Sequence, residues 1–246
     1  MSNGIQARNL SGVAGSGAGS IVCSASAATT RVIAPPSLLS ECVDRLPRQE
    51  WRRRLLHLAP GVLPVVLLAI PHRDPLALFA QMVILTLILG ISVFAVRAAG
   101  LFVRNGERSW TISVVGYAAI TLAMLLGFPG QPELGLAVTV IIAFGDGSAT
   151  LAGLLVRGRR LPWNRDKSWA GLTAFLVFSI PLATIAYWAE ARPGVPISIA
   201  LACVTPAALA AALVETLDVT VNDNVRVGIT AALTIVFTQN LFVGWQ

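Results

Sequence analysis

The segment VIIAFGDGSATLAGLLVRGRRLPWNRDKSWAG, residues 140–171, decides how the chain is read. Its first half is apolar enough for lipid. Its second half packs five cations between Arg157 and Lys167, the last being the only lysine in the chain. Between them sits a lone carboxylate, Asp146, flanked by Gly145 and Gly147. A carboxylate deep in an apolar helix costs about 2.5–3.5 kcal/mol on insertion scales. If the helix runs on to residue 156, ten residues at about 1.5 Å each put Asp146 about 15 Å below its end. The two glycines make a break in the helix plausible there. In either case Asp146 is expected to face a protein-lined, wet cavity rather than acyl chains. The plainer alternative is a neutral or paired Asp that joins two helices.

Composition supports the same reading. The chain has 246 residues, of which 55% are hydrophobic and 12% charged. Soluble domains carry about 25% charged residues, so an all-α, polytopic helical membrane protein is expected. Seven apolar spans follow one another, at about 55–71, 75–96, 110–128, 133–156, 169–189, 194–215 and 225–244. Residues 1–50, rich in Ser, Ala and Gly, read as a flexible tail, and residues 51–246 as one transmembrane domain. With seven spans and a cytoplasmic N-terminus, sixteen of the eighteen Arg and Lys residues lie inside, which selects that topology. A bacterial plasma membrane is the favoured location. A plastid membrane is the alternative, because the tail has Arg and Ser but no acidic residue before Glu41.

Under this topology three polar clusters face one compartment. They are "WRRRLLH" with Arg54 and His57, the region from Gly145 to Ser168, and "ETLDVTVNDN" from Glu215 to Asn224. Mg²⁺ is commonly held by one or two carboxylates together with substrate phosphates. Cationic side chains then offset charge on a transferring phosphoryl group. A phosphate or nucleotide site is therefore expected around Asp146 and the cationic loop, with Glu215 and the Asn222–Asn224 turn as sources of further oxygen ligands. Topogenic charge explains part of the cation excess. Asn224 reads as a helix cap on the plainer view, and His57 as a hydrogen-bonded core residue. Glu215 and Asp218 share a face if the helix continues past both.

Several chemistries are disfavoured. There is no GxxxxGK[ST] loop, no HExxH and no GxSxG elbow. "GDGSAT" has Thr150 where a dinucleotide fingerprint needs Gly. Cys23, Cys42 and Cys203 form no CxxC pair, and no nucleic-acid partner is indicated.

Taken together, these motifs resemble the phytol kinase/dolichol kinase group of the membrane cytidylyltransferase superfamily, over about residues 50–244. The family's Arg–Lys–x–x–His–x–x–x–Gly element looks like Arg53, Arg54, His57 and Gly61. Its Gly-Asp-x-x-Ala-x-x-x-Gly element looks like Gly145, Asp146, Ala149 and Gly153. Lys167, Ser168 and Gly171 match the following Lys-[Ser/Thr]-x-Glu-Gly element, except that Ala170 replaces its Glu. Glu215, Asp223 and Asn224 match the late acidic element. The resemblance implies a kinase that uses CTP or another nucleoside triphosphate, with Mg²⁺, to phosphorylate an isoprenoid alcohol drawn from the membrane. It implies Asp146, Lys167, Glu215 and Asp223 as catalytic residues, with Asp146, Glu215 and Asp223 holding the metal. It further implies that Arg157, Arg160, Arg165, Lys167, Ser168, Gly145 and Gly147 bind nucleotide or phosphate. His57, Arg54 and Asn224 are secondary candidates. Nucleotidyl transfer to a phospholipid and a transporter or scaffold are the rival readings, and a homo-oligomer is compatible with all three.

Overall fold

The computed structural model describes residues 48–69, 72–98, 110–156 and 158–244. Most of the expected tail and Arg157 therefore lie outside the described residues. Among these residues every extended element is helical, and the chain is an all-α polytopic membrane protein. Helix α1 spans Arg48–Leu58, and after a 3₁₀ turn over Ala59–Val62 comes the short α2, Leu63–Ala69. Then follow α3 (Leu78–Arg97), α4 (Trp110–Gly127) and α5 (Pro132–Val140). A π-helical stretch, Ile141–Asp146, joins α5 to α6 (Gly147–Val156). The last three are α7 (Trp169–Glu190), α8 (Ile197–Glu215) and α9 (Asp223–Phe242).

Among the described residues, six helical segments are long and apolar enough to cross a bilayer: α3, α4, the continuous run α5–α6, α7, α8 and α9. A seventh was expected at 55–71. That region is instead broken into α1, the 3₁₀ turn and α2. Pro60 is the second residue of the turn and Pro64 the second of α2. Proline removes a backbone donor and clashes with the preceding turn, so the stretch does not form one long helix. Pro181 and Pro206 sit within α7 and α8 without ending them.

The run α5–α6 is the hub. In its most apolar window 78% of residues are buried, against 11–39% in the other five spans. Residues all around α5 are buried, Leu134, Leu136, Val138 and Val140 among them. A helix that is apolar on every side must be surrounded by protein or lipid, and here protein surrounds it. α3 is the opposite case: it exposes Leu78, Phe79, Met82, Leu87 and Phe94, a surface suited to acyl chains.

Hydrocarbon does not drive apolar helices together, so close packing of small side chains must do so. α8 buries Ala207, Ala208, Ala211 and Ala212, and α9 buries Gly228 and Ala231 in the same core. The α6–α7 crossing is tighter still. A Cβ on Gly171 would stand 2.9 Å from the backbone oxygen of Ala149. Backbone cannot rotate away as a side chain can. Gly171→Val should therefore lower the thermal denaturation midpoint of the detergent-solubilised protein, with an overpacking cost of about 1–3 kcal/mol. Gly90→Ala in α3, where nothing lies within 4 Å of the new Cβ, should leave that midpoint unchanged or raise it. Equal midpoints for Gly171→Val and the parent would refute the close crossing.

Candidate active site

Asp146 ends the π-helical stretch and is buried. The helix widens there rather than breaking. Gly145 and Gly147 keep helical geometry and serve close approach. A Cβ on Gly145 would meet the Phe175 ring at 2.7 Å, and one on Gly147 would meet Leu58 at 2.8 Å. The structure thus surrounds both glycines with packed side chains. π-helical turns often occur at functional sites because they re-aim side chains.

Two further acids come from helix ends. Glu215 is the last residue of α8, and Asp223 the first of α9. Asp146, Glu215 and Asp223 each offer a carboxylate oxygen within 4.8 Å of the others. No other such group of three metal-ligating side chains occurs among the described residues. Because α8 ends at Glu215, Asp218 does not share its face and instead lies exposed in the connection.

Cations reach the same acids. The Lys167 ammonium bonds Glu215 Oε1 and lies 3.1 Å from Asp223 Oδ2. Burial works against the charge on Lys167, but Glu215, Asp223 and Asp146 outweigh it and raise its pKa above the ordinary lysine value. Arg226 pairs with Asp223 and donates to the carbonyls of Val214 and Leu217, each at 3.1 Å. On the other flank, His57 Nε2 is 3.3 Å from Asp146 Oδ2 and 3.3 Å from the Ile142 carbonyl oxygen. The His57 ring also packs against Tyr117, with centroids 5.5 Å apart.

The cationic loop is held in place by α8. Asn164 Nδ2 donates to Thr216 O at 3.1 Å, and Trp163 Nε1 donates to Thr216 Oγ1 at 3.1 Å. Backbone bonds between Leu161 and Lys167 and between Trp169 and Arg159 close the loop on itself. Ser168 caps α7 by accepting from Gly171 N, and Asn222 caps α9 by accepting from Asn224 N. The α9 cap is thus Asn222, not Asn224. Asn224 instead donates its side-chain amide to the Ser113 carbonyl on α4.

Two cavities meet at the cluster. The larger, about 440 Å³, has Arg54, His57, Asp146, Lys167, Asp223 and Asn224 at one end and apolar residues of α2, α3 and α4 beyond. The smaller, about 180 Å³, is lined by Arg160, Asp166, Lys167, Ser168 and Glu215, among others. Lys167 and Thr150 line both. Arg165 is exposed and lines neither. No site role could be read from the sequence for Arg226, Trp163 or Thr216. The one available signal was the i,i+3 spacing of Asp223 and Arg226.

If Asn164 sets the position of Lys167, Asn164→Ala should loosen the loop. Losing a buried bond costs about 1–3 kcal/mol when a partner is left unsatisfied. Amide hydrogen exchange over residues 158–168 should speed up while exchange in α5 stays slow. Unchanged loop exchange would show that the loop is held elsewhere.

No protein-family model matches the chain, and no solved structure matches it. Its sequence is similar to plant proteins. It is 30% identical over 140 residues to a "Probable phytol kinase 2, chloroplastic" of Glycine max, covering 50% of this chain and 45% of that protein. It is 30% identical over 140 residues to a "Probable phytol kinase, chloroplastic" of Zea mays, covering 50% and 43%. A "Probable phytol kinase, chloroplastic" of Triticum aestivum is 28% identical over 138 residues, covering 53% and 45%. The chain thus spans a little under half the length of the curated relatives it matches.

Proposed function

We propose that the protein is a membrane-embedded kinase. It moves the terminal phosphoryl group of a nucleoside triphosphate, CTP on our reading, to the hydroxyl of an isoprenoid alcohol such as phytol, geranylgeraniol or a polyprenol. The observation that carries this reading is the meeting of Asp146, Glu215 and Asp223 within 4.8 Å at the junction of two cavities. The similarity to plant proteins named phytol kinase supports it.

The donor set is all carboxylate oxygen, which suits a hard divalent ion such as Mg²⁺. Asp146, Glu215 and Asp223 would hold it. Bound there, Mg²⁺ would neutralise charge on the phosphate oxygens. The chain supplies the rest. Lys167, Arg160 and Ser168 bind phosphate oxygens in the smaller cavity, with Arg157 and Arg165 adding positive charge along the loop. Gly145 and Gly147 let the neighbouring helices close around Asp146. In the family this chain resembles, a Glu stands where Ala170 is; Asp166, on the wall of the smaller cavity, is our substitute for it. The alcohol enters the larger cavity with its hydroxyl at the charged end, beside His57, Arg54 and Asn224. Its oxygen forms the new bond to phosphorus as the bond to the departing diphosphate breaks. Its proton passes to a base at the site, for which His57 is our candidate.

We place the protein in a plastid membrane, following the word "chloroplastic" in the relatives' names, rather than in the bacterial membrane that sequence alone favoured. The broader membrane cytidylyltransferase superfamily is the group its motifs suggest.

Purified protein given γ-labelled CTP, ATP and UTP separately, with Mg²⁺ and isoprenoid alcohols, should yield labelled lipid phosphate, most from CTP. Chelation of Mg²⁺ should stop it. Asp146→Asn should lower turnover by about 10²–10³, the scale of losing one charge-stabilising group, while the protein stays folded. A product carrying the α-phosphate would instead mean nucleotidyl transfer. Full activity in Asp146→Asn would remove the metal-ligand role.

A further inference from the structure

α4 contributes no acid to the carboxylate cluster. It nonetheless packs on two of the elements that do, the hub run and α9. Ser113, Gly116 and Ile120, at i, i+3 and i+7, form one stripe of α4 and meet α9. A Cβ on Gly116 would stand 2.4 Å from Cγ2 of Val225, and one on Gly228 would stand 2.6 Å from Cδ1 of Ile120. The two helices thus interlock at two levels, each time with a glycine facing a side chain.

At the site end of this contact one serine meets both neighbours of Asp223. Asn222 Nδ2 donates to Ser113 Oγ at 2.7 Å, and Asn224 Nδ2 donates to the Ser113 carbonyl at 3.1 Å. Asp223 is the residue between them. Asn222 Oδ1 also accepts from Asn224 N at 3.1 Å, so the Asn222 side chain is held at both ends.

The adjacent stripe of α4 is fixed to the hub. Tyr117 Oη donates to the Thr139 carbonyl at 3.1 Å, and Thr139 Oγ1 donates to Thr121 Oγ1 at 3.2 Å. All three residues are buried. The Tyr117 ring packs on His57, which lies 3.3 Å from Asp146. α4 is therefore tied to the hub near Asp146 and to α9 on either side of Asp223. The cations that pair with Asp223 supply no equivalent tie. Lys167 reaches it on a flexible four-carbon stem. Arg226 belongs to α9 itself and joins it to Val214 and Leu217 at the end of α8.

Resting on the reading of Asp223 as a metal ligand of the kinase, we propose that Ser113 is a positioning residue for the divalent ion: through Asn222 and Asn224 it holds the Asp223 carboxylate in register with Asp146. Ser113 acts through the two asparagines. Groups behind a metal's ligands orient them, and losing one typically costs about 10–100-fold in metal affinity. The hydroxyl is the part of this clamp that substitution can remove.

The test uses the full chain in detergent without nucleotide. Mn²⁺ is the probe, its binding read by electron paramagnetic resonance. Thermal midpoint and phosphorylation of isoprenoid alcohols are measured on the same preparations. Ser113→Ala should weaken Mn²⁺ binding by about tenfold or more. Ser113→Thr keeps the hydroxyl and should bind like the parent. Asn222→Ser keeps an oxygen able to cap α9 but loses the amide that reaches Ser113, so it should match Ser113→Ala; it carries the same reading if Ser113→Ala does not fold. Parental Mn²⁺ affinity in either folded variant, even with a lowered midpoint, would overturn the positioning role and leave the kinase reading standing. An equal loss in Ser113→Thr and Ser113→Ala would assign the effect to packing and sink the role of the hydroxyl. A parent that binds no Mn²⁺ would also overturn it. Hydroxyl-dependent Mn²⁺ binding with no phosphorylation from any nucleotide would instead remove the kinase reading and keep the role of Ser113.

Discussion

A carboxylate inside a membrane helix cannot be left to itself. Asp146 sits in the most buried span of the protein, where an isolated charge would be expensive. The rest of the site answers that constraint. His57 approaches Asp146 from one side, while Glu215, Asp223 and Lys167 gather on the other. Two more acids crowding a buried acid raise the cost further. Lys167 and Arg226 reduce it by pairing with Glu215 and Asp223. Buried polar groups gain little unless all are satisfied, so loop, helix ends and the π-helical turn have to be set together.

The means of setting them lie at helix termini. α8 stops at Glu215 and α9 starts at Asp223, so a seven-residue connection brings both acids to the mouth of the hub helix. Thr216 then does double duty, its hydroxyl and carbonyl receiving Trp163 and Asn164 from the cationic loop. The loop could not keep Lys167 against Glu215 without such an anchor, since a long flexible side chain loses entropy on being fixed. A lysine suits this position. Its ammonium is a compact charge with three donors, and here it reaches two carboxylates at once.

Much of the fold was legible because lipid imposes a simple code. The spans read at 75–96, 110–128 and 133–156 fall within three residues of α3, α4 and α5–α6. Pro60 and Pro64 were visible as kink points in the first apolar run, but hydropathy still reads that run as one span, whereas the helix is interrupted there. Asp146 and Glu215 were readable as acids in or at the end of apolar runs, and Asp223 through the motif resemblance. Arg226 was not, for it looked like ordinary loop charge. His72 forms a buried pair with Glu190 at the end of α7. Two groups 118 residues apart carry no local signal of their meeting.

The division of the interior into two cavities follows from the same geometry. α6 and α7 cross so closely at Gly171 that no large space remains between them except beside Lys167. α3 and α4 face the hub with small residues and leave a longer space. Among the described residues, two side chains, Lys167 and Thr150, line both. Thr150 is fixed by its bond to the Asp146 carbonyl at 3.1 Å. Lys167, with the acids that hold it, thus stands on the wall between the two cavities. A polar wall shared by a small charged cavity and a larger, more apolar one is what the proposed reaction would need to bring a water-soluble donor to a lipid acceptor. On that proposal, the buried acid that makes the helix expensive to insert would be the point that both reach.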